Sequence, residues 1–311
     1  MALTIVEAAK LNSGDVVRQA IIEMYARNSD ILRVLPFESI AGNAMQYNRE
    51  EILPGIGFRG INEAYTASEG VLNPITEALV IAGGDLDVDR FIVQTMGPNQ
   101  RAVREAMKVK ALSHRWTLAF IKGDSSADPR EFDGLQRRIP TGSSQLVAAG
   151  ATSGGDALSL FLLDTAISKV DNPTHLVMNK TMMLRLSQAA RSTTVGGYLT
   201  YSLDEFGRQV TMYNGLPILI ADEDNTGAQI LPFTEANPGG GAAASTSLYV
   251  LSVGEGMLVG IQNGVVDVRD LGEVQSQPVM RTRVEWYTGL AVFSGKAVAR
   301  LHGIKSAAVV A

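Results

Sequence analysis

Residues 98–122 read PNQRAVREAMKVKALSHRWTLAFIK. Pro98 suits a first helical turn, where its missing N–H would bond nothing; Asn99 is a second capping candidate, and Gly123 offers a left-handed stop. Between these signals Ala102, Ala106, Val109, Trp116 and Phe120 recur at helical spacing. Val103, Met107, His114, Leu118 and Ile121 form a second stripe beside them, leaving Arg101, Arg104, Glu105, Lys108 and Arg115 for the wetter side. Such a helix spans roughly 37 Å, about a domain diameter. Strand-rich sequence lies on both sides of it. The expectation is a single spine across which the other elements are laid.

Upstream of the spine, residues 38–96 change to period two, with Ile40, Gly42 and Ala44 leading to Tyr47 and a turn at Pro54 and Gly55. This reads as a long hairpin. Its tip region, EILPGIGFRGINEAYTASEGVLNP (residues 51–74), carries four glycines and two prolines and reads as poor in core-sized residues. A projecting loop of that kind needs a partner to lie on, or it stays unordered. The return, ITEALVIAGGDLDVDRFIVQT (residues 75–95), alternates again, with Leu86, Val88 and Arg90 on one side and Asp85, Asp87 and Asp89 on the other. That acidic row is expected on a solvated or partner-facing strand, because i, i+2 positions sit nearly 7 Å apart, too far to share one hard cation. Before the hairpin, Val17, Ala20, Ile21 and Met24 mark a weak amphipathic segment ended by Pro36. It cannot bury its stripe alone and should dock on the body or on a neighbour.

Downstream, residues 134–155 are small, polar and glycine-rich, and a second α/β section follows. Helices are expected over 156–170 and 180–191, with strands at 175–178, 209–213, 217–220, 248–253 and 257–261. The segment NPGGGAAASTS (residues 237–247) reads as a surface loop, and the strands from Val265 to Leu301 are expected to return to the spine. No internal repeat is evident.

The bulk composition narrows the function classes. A chain of 311 residues suits about two domains or one elaborated α/β unit, and 46% hydrophobic with 19% charged residues places it among globular proteins. The 27 basic and 32 acidic residues give a net charge of −5, against the basic excess that strong nucleic-acid binding requires. The absence of cysteine excludes disulfides, thiolate metal sites and cysteine nucleophiles. The start has no basic region followed by an apolar run, so no signal peptide is expected, and the apolar runs fall short of the ~20 residues of a membrane helix. His114, His175 and His302 are scattered without ligand spacing, and no nucleophile elbow or phosphate-binding glycine loop occurs. The acids Asp124, Asp128, Glu131 and Asp133, and the run Asp222, Glu223, Asp224, fit turn chemistry better than a calcium loop. No cofactor, metal or catalytic residue is expected; a carboxylate-dependent enzyme using Asp124 or Asp133 remains the reading from a different class.

The hairpin region nevertheless resembles a known family. Tyr47-Asn48-Arg49-Glu50, Leu53-Pro54-Gly55, Phe58-Arg59, Asn62-Glu63, Asn73-Pro74, Thr76-Glu77 and Gly83-Gly84-Asp85 are similar to the major capsid proteins of tailed bacteriophages. The likeness continues in order through Asp87-Val88-Asp89-Arg90-Phe91, Lys122-Gly123-Asp124 and Phe132-Asp133-Gly134-Leu135. It covers most of the first half, and the second half matches in layout. The resemblance implies an α+β fold, the one named after phage Hong Kong ninety-seven. Its parts would be an N-terminal arm at 1–37, an extended β-hairpin loop at 38–83, a peripheral domain at 84–140 and 276–311 containing the spine, and an axial α/β domain at 141–275.

The function so implied is structural. Hexamers and pentamers would build an icosahedral shell around double-stranded DNA held without sequence-specific binding, in a virion assembled in the host cytoplasm. The implied partners are the protein itself, a separate scaffolding protein, a portal and a decoration protein, with no membrane. A separate scaffold is expected because Met1 precedes the arm almost directly, where some relatives carry a scaffolding segment. Some relatives also weld their shells through a lysine of the extended loop, but residues 41–90 contain none, so no such crosslink is expected here. The rival within the same fold is an encapsulin-like compartment enclosing protein cargo. Phe58, Arg59 and Tyr65 are the expected subunit-interface anchors, since aromatic and arginine side chains dominate such contacts.

Overall fold

The computed structural model describes Leu3–Thr4 and residues 29–96, 99–191, 199–203, 209–221, 223–224 and 226–310. The amphipathic segment around Val17 to Met24 and the capping proline Pro98 lie outside the described residues. In chain order, β1 (Leu3–Thr4), α1 (Asp30–Val34) and β2 (Pro36–Ser39) precede the hairpin strands β3 (Ala44–Ile52) and β4 (Val71–Ala78). Then come β5 (Val80–Asp89), α2 (Arg90–Met96) and the spine α3 (Asn99–Lys122). The second half runs α4 (Leu135–Arg138), β6 (Leu146–Ala148), α5 (Leu160–Ser168), β7 (His175–Met178), α6 (Lys180–Ala189), β8 (Leu199–Leu203), β9 (Gln209–Tyr213) and β10 (Leu216–Ile220). It closes with β11 (Ser245–Leu251), β12 (Leu258–Gln262), β13 (Asp267–Glu273), β14 (Val279–Val292) and β15 (Val298–Lys305).

The strands form two large sheets and one separate ribbon. The first sheet runs β1-β2-β12-β14-β13, with β5 also paired to β14; the second runs β6-β15-β11-β7-β10-β9-β8; β3 and β4 pair only with each other. The second sheet separates two cores. Leu176 and Met178 of β7, with Leu248 and Val250 of β11, face α5 and α6 through Leu163, Ala166, Met182 and Leu186. Val177, Tyr249 and Leu251 face the other way, into the core shared with α3. Both faces of β11 are therefore covered, and all seven of its residues are buried.

Around the spine the core is aromatic. Trp116 lies 5.7 Å from Phe37, 5.9 Å from Trp286 and 5.4 Å from Phe120 between ring centroids, which ties α3 to β2 and β14. Both indoles are satisfied, Trp116 Nε1 donating to Thr288 Oγ1 at 3.1 Å and Trp286 Nε1 to Gln262 Oε1 at 3.2 Å. Gly260 makes room for this cluster: a Cβ there would stand 2.4 Å from the Phe37 ring. The short α1 docks on the spine, its N-cap Ser29 hydrogen-bonded to Thr117 Oγ1 at 2.9 Å and Ile31, Leu32 and Leu35 buried.

Four expectations from the sequence change. Residues 90–96 form a helix rather than the end of a strand, because the Asp89 carboxylate accepts the Phe91 N–H at 2.7 Å and caps the turn. The apolar arc of the spine is buried only from Val109 onward: Val109, Trp116 and Phe120 are covered, whereas Val103 and Met107 are 56% and 66% exposed. Gly123 ends the helix without a left-handed φ; glycine is needed because a Cβ would stand 2.3 Å from Phe132 O and 2.5 Å from Ala119 O. Of the terminal strands, β14 returns to the spine's sheet, while β15 joins β11 and β6 in the second sheet.

These contrasts give a stability test. Trp116→Ala removes the centre of the aromatic cluster and should destabilise the fold by about 3–5 kcal/mol, whereas the exposed Val103→Ala should change it by less than about 0.5 kcal/mol, both read from denaturant unfolding. Similar losses for the two variants would contradict the placement of the core.

Candidate assembly interface

The hairpin β3–β4 leaves the body as a two-stranded ribbon with no covering layer. Its register runs from Ala44 opposite Ala78 to Ile52 opposite Val71, with one bulge between Glu50 and Ile52. Two-stranded ribbons are marginal on their own, so the root must hold it. Arg138 does so from α4: Nη1 and Nη2 bind the two Glu77 carboxylate oxygens at 2.5 and 2.8 Å, Nη2 also donates to Leu290 O at 2.9 Å, and Nε donates to Asp133 O at 2.9 Å. The two side chains are only 17% and 14% exposed. Beside them Tyr47 donates to Val292 O at 2.9 Å and packs its ring at a tilt against Phe293, 4.7 Å between centroids. Burial, and then the Glu77 charge, push the Tyr47 hydroxyl above its ordinary range, so it remains a neutral donor. None of Arg138, Glu77 and Tyr47 stands out in the sequence as a group. Arg138 is 61 residues from Glu77, and only the fold brings them together.

Beyond the ribbon, residues 53–70 form a loop that touches no core. The sequence reading of this tip as poor in core-sized residues is corrected here: Ile56, Phe58, Ile61 and Tyr65 are 96%, 110%, 95% and 69% exposed, and Leu53 and Leu72 are exposed as well. The segment is apolar and unpacked. Local polar bonds shape it instead, with Gly55 N–H donating to Ser68 Oγ at 2.6 Å, Gly60 N–H to the Glu63 carboxylate at 2.8 Å, and Asn62 in a left-handed turn at φ 66°. Of the three expected anchors, Arg59 and Tyr65 are brought together, the guanidinium lying 5.1 Å from the ring centroid while Nη1 donates to Glu63 O at 3.1 Å. Phe58 stands apart, fully exposed.

The acidic row at the loop's return has partners that its own sequence does not show. Asp85 and Asp87 face Arg283 and Arg281 directly across the β5–β14 pairing. Asp87 takes both oxygens to Arg281 at 2.6 Å, and Asp85 binds Arg283 at 2.7 and 2.9 Å. The hydrogen bonds from these arginines hold both carboxyls below the usual range. The turn acids are likewise committed: Asp124 accepts from Ser126 N and pairs with Arg137, Asp133 accepts from Ser125 N, and Asp224 accepts from Thr226 N and Ala228 N. His114, His175 and His302 lie apart, and burial, followed by Arg33, lowers His175 to about 4. Among the described residues no group of three or more His, Asp or Glu is placed to hold a metal ion. No described helix is long and apolar enough to cross a membrane.

A packed α+β body carrying a braced hairpin with an apolar, uncovered loop suits a subunit that associates. The family described as Major capsid protein GP7 matches residues 12–173, more than half of the chain, and the protein belongs to that family. It is a structural capsid protein of the tailed-phage type that assembles with copies of itself into shells. The fold agrees. The capsid of the native GTA particle is similar at TM-score 0.62 and 15% identity, covering 89% of this chain and 90% of that one. The Microbacterium phage Oxtober96 structure is similar at TM-score 0.61 and 12% identity, with coverages of 89% and 90%. The holo-SrpI encapsulin complex from Synechococcus elongatus PCC 7942 is similar at TM-score 0.63 and 19% identity, covering 98% and 97%. No curated protein sequence matches the chain.

Two outcomes are expected at this interface. Arg138→Met leaves Glu77 buried and unpaired, which should destabilise the hairpin root by about 3 kcal/mol. Amide exchange should then accelerate in β3 and β4 well before it does in β11, and equal acceleration in both would contradict the bracing role. The second outcome concerns pH. Because Asp85 and Asp87 are depressed in the folded state, their contribution is complete above the ordinary value of 3.8 and is lost as pH falls through their lowered values. The β5–β14 amides should open on acidification below that point, and Arg283→Gln should flatten the dependence.

Proposed function

We propose that this capsid protein builds an icosahedral shell from rings of six and five copies, with the loop at 53–70 lying over an adjacent copy and double-stranded DNA enclosed. The observation that carries this reading is the loop itself: large apolar side chains fully in water on a ribbon braced by Arg138, Glu77 and Tyr47. Exposed apolar surface of this extent marks an interaction site. The parts proposed are the arm at 1–37, the extended loop at 38–83, the peripheral domain at 84–140 with 276–311, and the axial domain at 141–275. In this scheme β12 and β15 cross between the peripheral and axial sheets and lock the two parts together. Phe58, Arg59 and Tyr65 are the proposed anchors on the loop.

The net charge of −5 suits a wall that encloses phosphate without gripping it. No lysine lies in 41–90, so the shell is held without a lysine weld from the loop. Other copies are the first partner; a separate scaffolding protein serves assembly in the host cytoplasm, and a portal and a decoration protein join the shell. The role is non-catalytic, the acids that might have served as a pair being engaged in turns and ion pairs. A second reading, a compartment around protein cargo, is favoured by the 98% coverage of this chain in the likeness to the encapsulin complex.

Electron microscopy of the purified protein, alone and co-expressed with its neighbouring genes, tests the proposal together with light scattering. Closed shells or rings of five and six are expected, with nuclease-protected DNA inside those made in infection. A monomer under every condition would overturn it, and shells holding a protein cargo would establish the second reading.

A further inference from the structure

The sequence holds two Asn–Gly steps, Asn214–Gly215 and Asn263–Gly264. Asparagine is chemically labile, and before glycine its side-chain amide is open to attack by the next main-chain nitrogen, which no Cβ shields and whose backbone turns freely. The fold treats the two steps differently. Asn214 and Gly215 fill a closed two-residue turn between β9 and β10, at φ 49° and 80°, with Tyr213 paired to Leu216. Forming a ring there requires the turn to be undone. Asn263 and Gly264 lie in an open bend after β12, both exposed, and the Gly264 N–H donates to no group among the described residues.

Asn263 also holds a second segment in place. Its Nδ2 donates to Gly42 O at 2.9 Å, its main-chain N–H donates to Tyr287 O at 3.1 Å, and the preceding Gln262 O accepts from Ile40 N at 2.9 Å. Residues 40–43 lead from β2 into the hairpin, and Asn43 O accepts from Leu79 N at 2.8 Å at the hairpin's base. The Asn263 carboxamide thus clips the entry to the projecting hairpin onto the first sheet.

We propose that Asn263 is a self-modification site, at which slow conversion of the side-chain amide to a carboxylate releases this clip. The Gly264 nitrogen gives up its proton and bonds to Asn263 Cγ; the Cγ–Nδ2 bond breaks and the amide nitrogen leaves as ammonia, giving a five-membered imide. Water then opens the ring at either carbonyl, leaving aspartate or isoaspartate. Either product replaces the donor facing Gly42 O by oxygens that only accept, and adds one negative charge. Isoaspartate also lengthens the main chain by a methylene between β12 and β13. The reaction takes only water as co-reactant, and it quickens as pH rises because the attacking nitrogen must be deprotonated.

Folded wild-type protein is aged at mildly alkaline pH in heavy-oxygen water, and peptide mass spectrometry follows both steps. Heavy oxygen is expected at 263 well before 214 in the folded protein, and at comparable rates at the two once denaturant unfolds the chain. Labelling of 214 as fast as 263 in the folded protein, or none at 263, overturns the site. The clip is tested with Asn263→Asp, which carries the product side chain. Amide exchange at Ile40 and Leu79 should quicken by roughly fivefold, as for one exposed hydrogen bond lost, with Tyr249 in β11 unchanged. Unaltered exchange at Ile40 and Leu79 overturns the release. If the variant does not fold, the aged wild-type protein is read in the same way against fresh protein, with the same two outcomes.

Discussion

The structure depends on bracing a ribbon that has no core of its own. Two strands in water do not hold a direction, and here the direction is set where Arg138 grips Glu77 and reaches the Leu290 carbonyl. That single guanidinium joins the hairpin, α4 and β14. Its burial makes the contact demanding, since losing either partner strands a charge away from water. The neighbouring Tyr47 hydroxyl on Val292 and the two arginine–aspartate pairs of β5 and β14 extend the same junction along the strand. The projecting hairpin is held at its base by these polar contacts together with the Tyr47–Phe293 ring pair.

The body supplies the rigid base by a different means. Trp116, Trp286, Phe37 and Phe120 fuse the spine to the first sheet, and β11, buried on both faces, fuses that core to the second. In the second unit a partly buried pair, Arg300 with Glu235 at 2.9 Å, pins the preceding loop to β15. Hydrophobic packing is thus spent on the body and withheld from the loop, where Ile56, Phe58 and Ile61 remain in water. For an isolated subunit that exposure is a liability; for an assembling one it is stored contact area.

Much of this was legible in the sequence because the signals were local. The spine is found at Asn99–Lys122, the hairpin turns within its glycine-rich tip, and His175–Met178 and Lys180–Ala189 follow their periodicity. What could not be read was pairing at long range. Arg281 and Arg283 lie 194 and 198 residues from the aspartates they bind, so the acidic row read only as a solvated or partner-facing strand. Residues 90–96 failed for another reason: a short run with Phe91, Ile92 and Val93 suits strand or helix equally, and the Asp89 cap decided it. The tip was misjudged because its glycines drew attention away from its large side chains. Arg59 and Tyr65 were recognisable as anchors by type, whereas the Arg138 brace has no local signature at all.

The central claim is that residues 53–70 gain their packing only from another copy. Amide hydrogen exchange, compared between unassembled subunits and shells, measures this directly. Fast exchange across 53–70 in the subunit, with strong protection in the shell and little change in β11, is the predicted result. Equal protection of 53–70 in both states would contradict the account, because the loop would then have found its partner within its own chain.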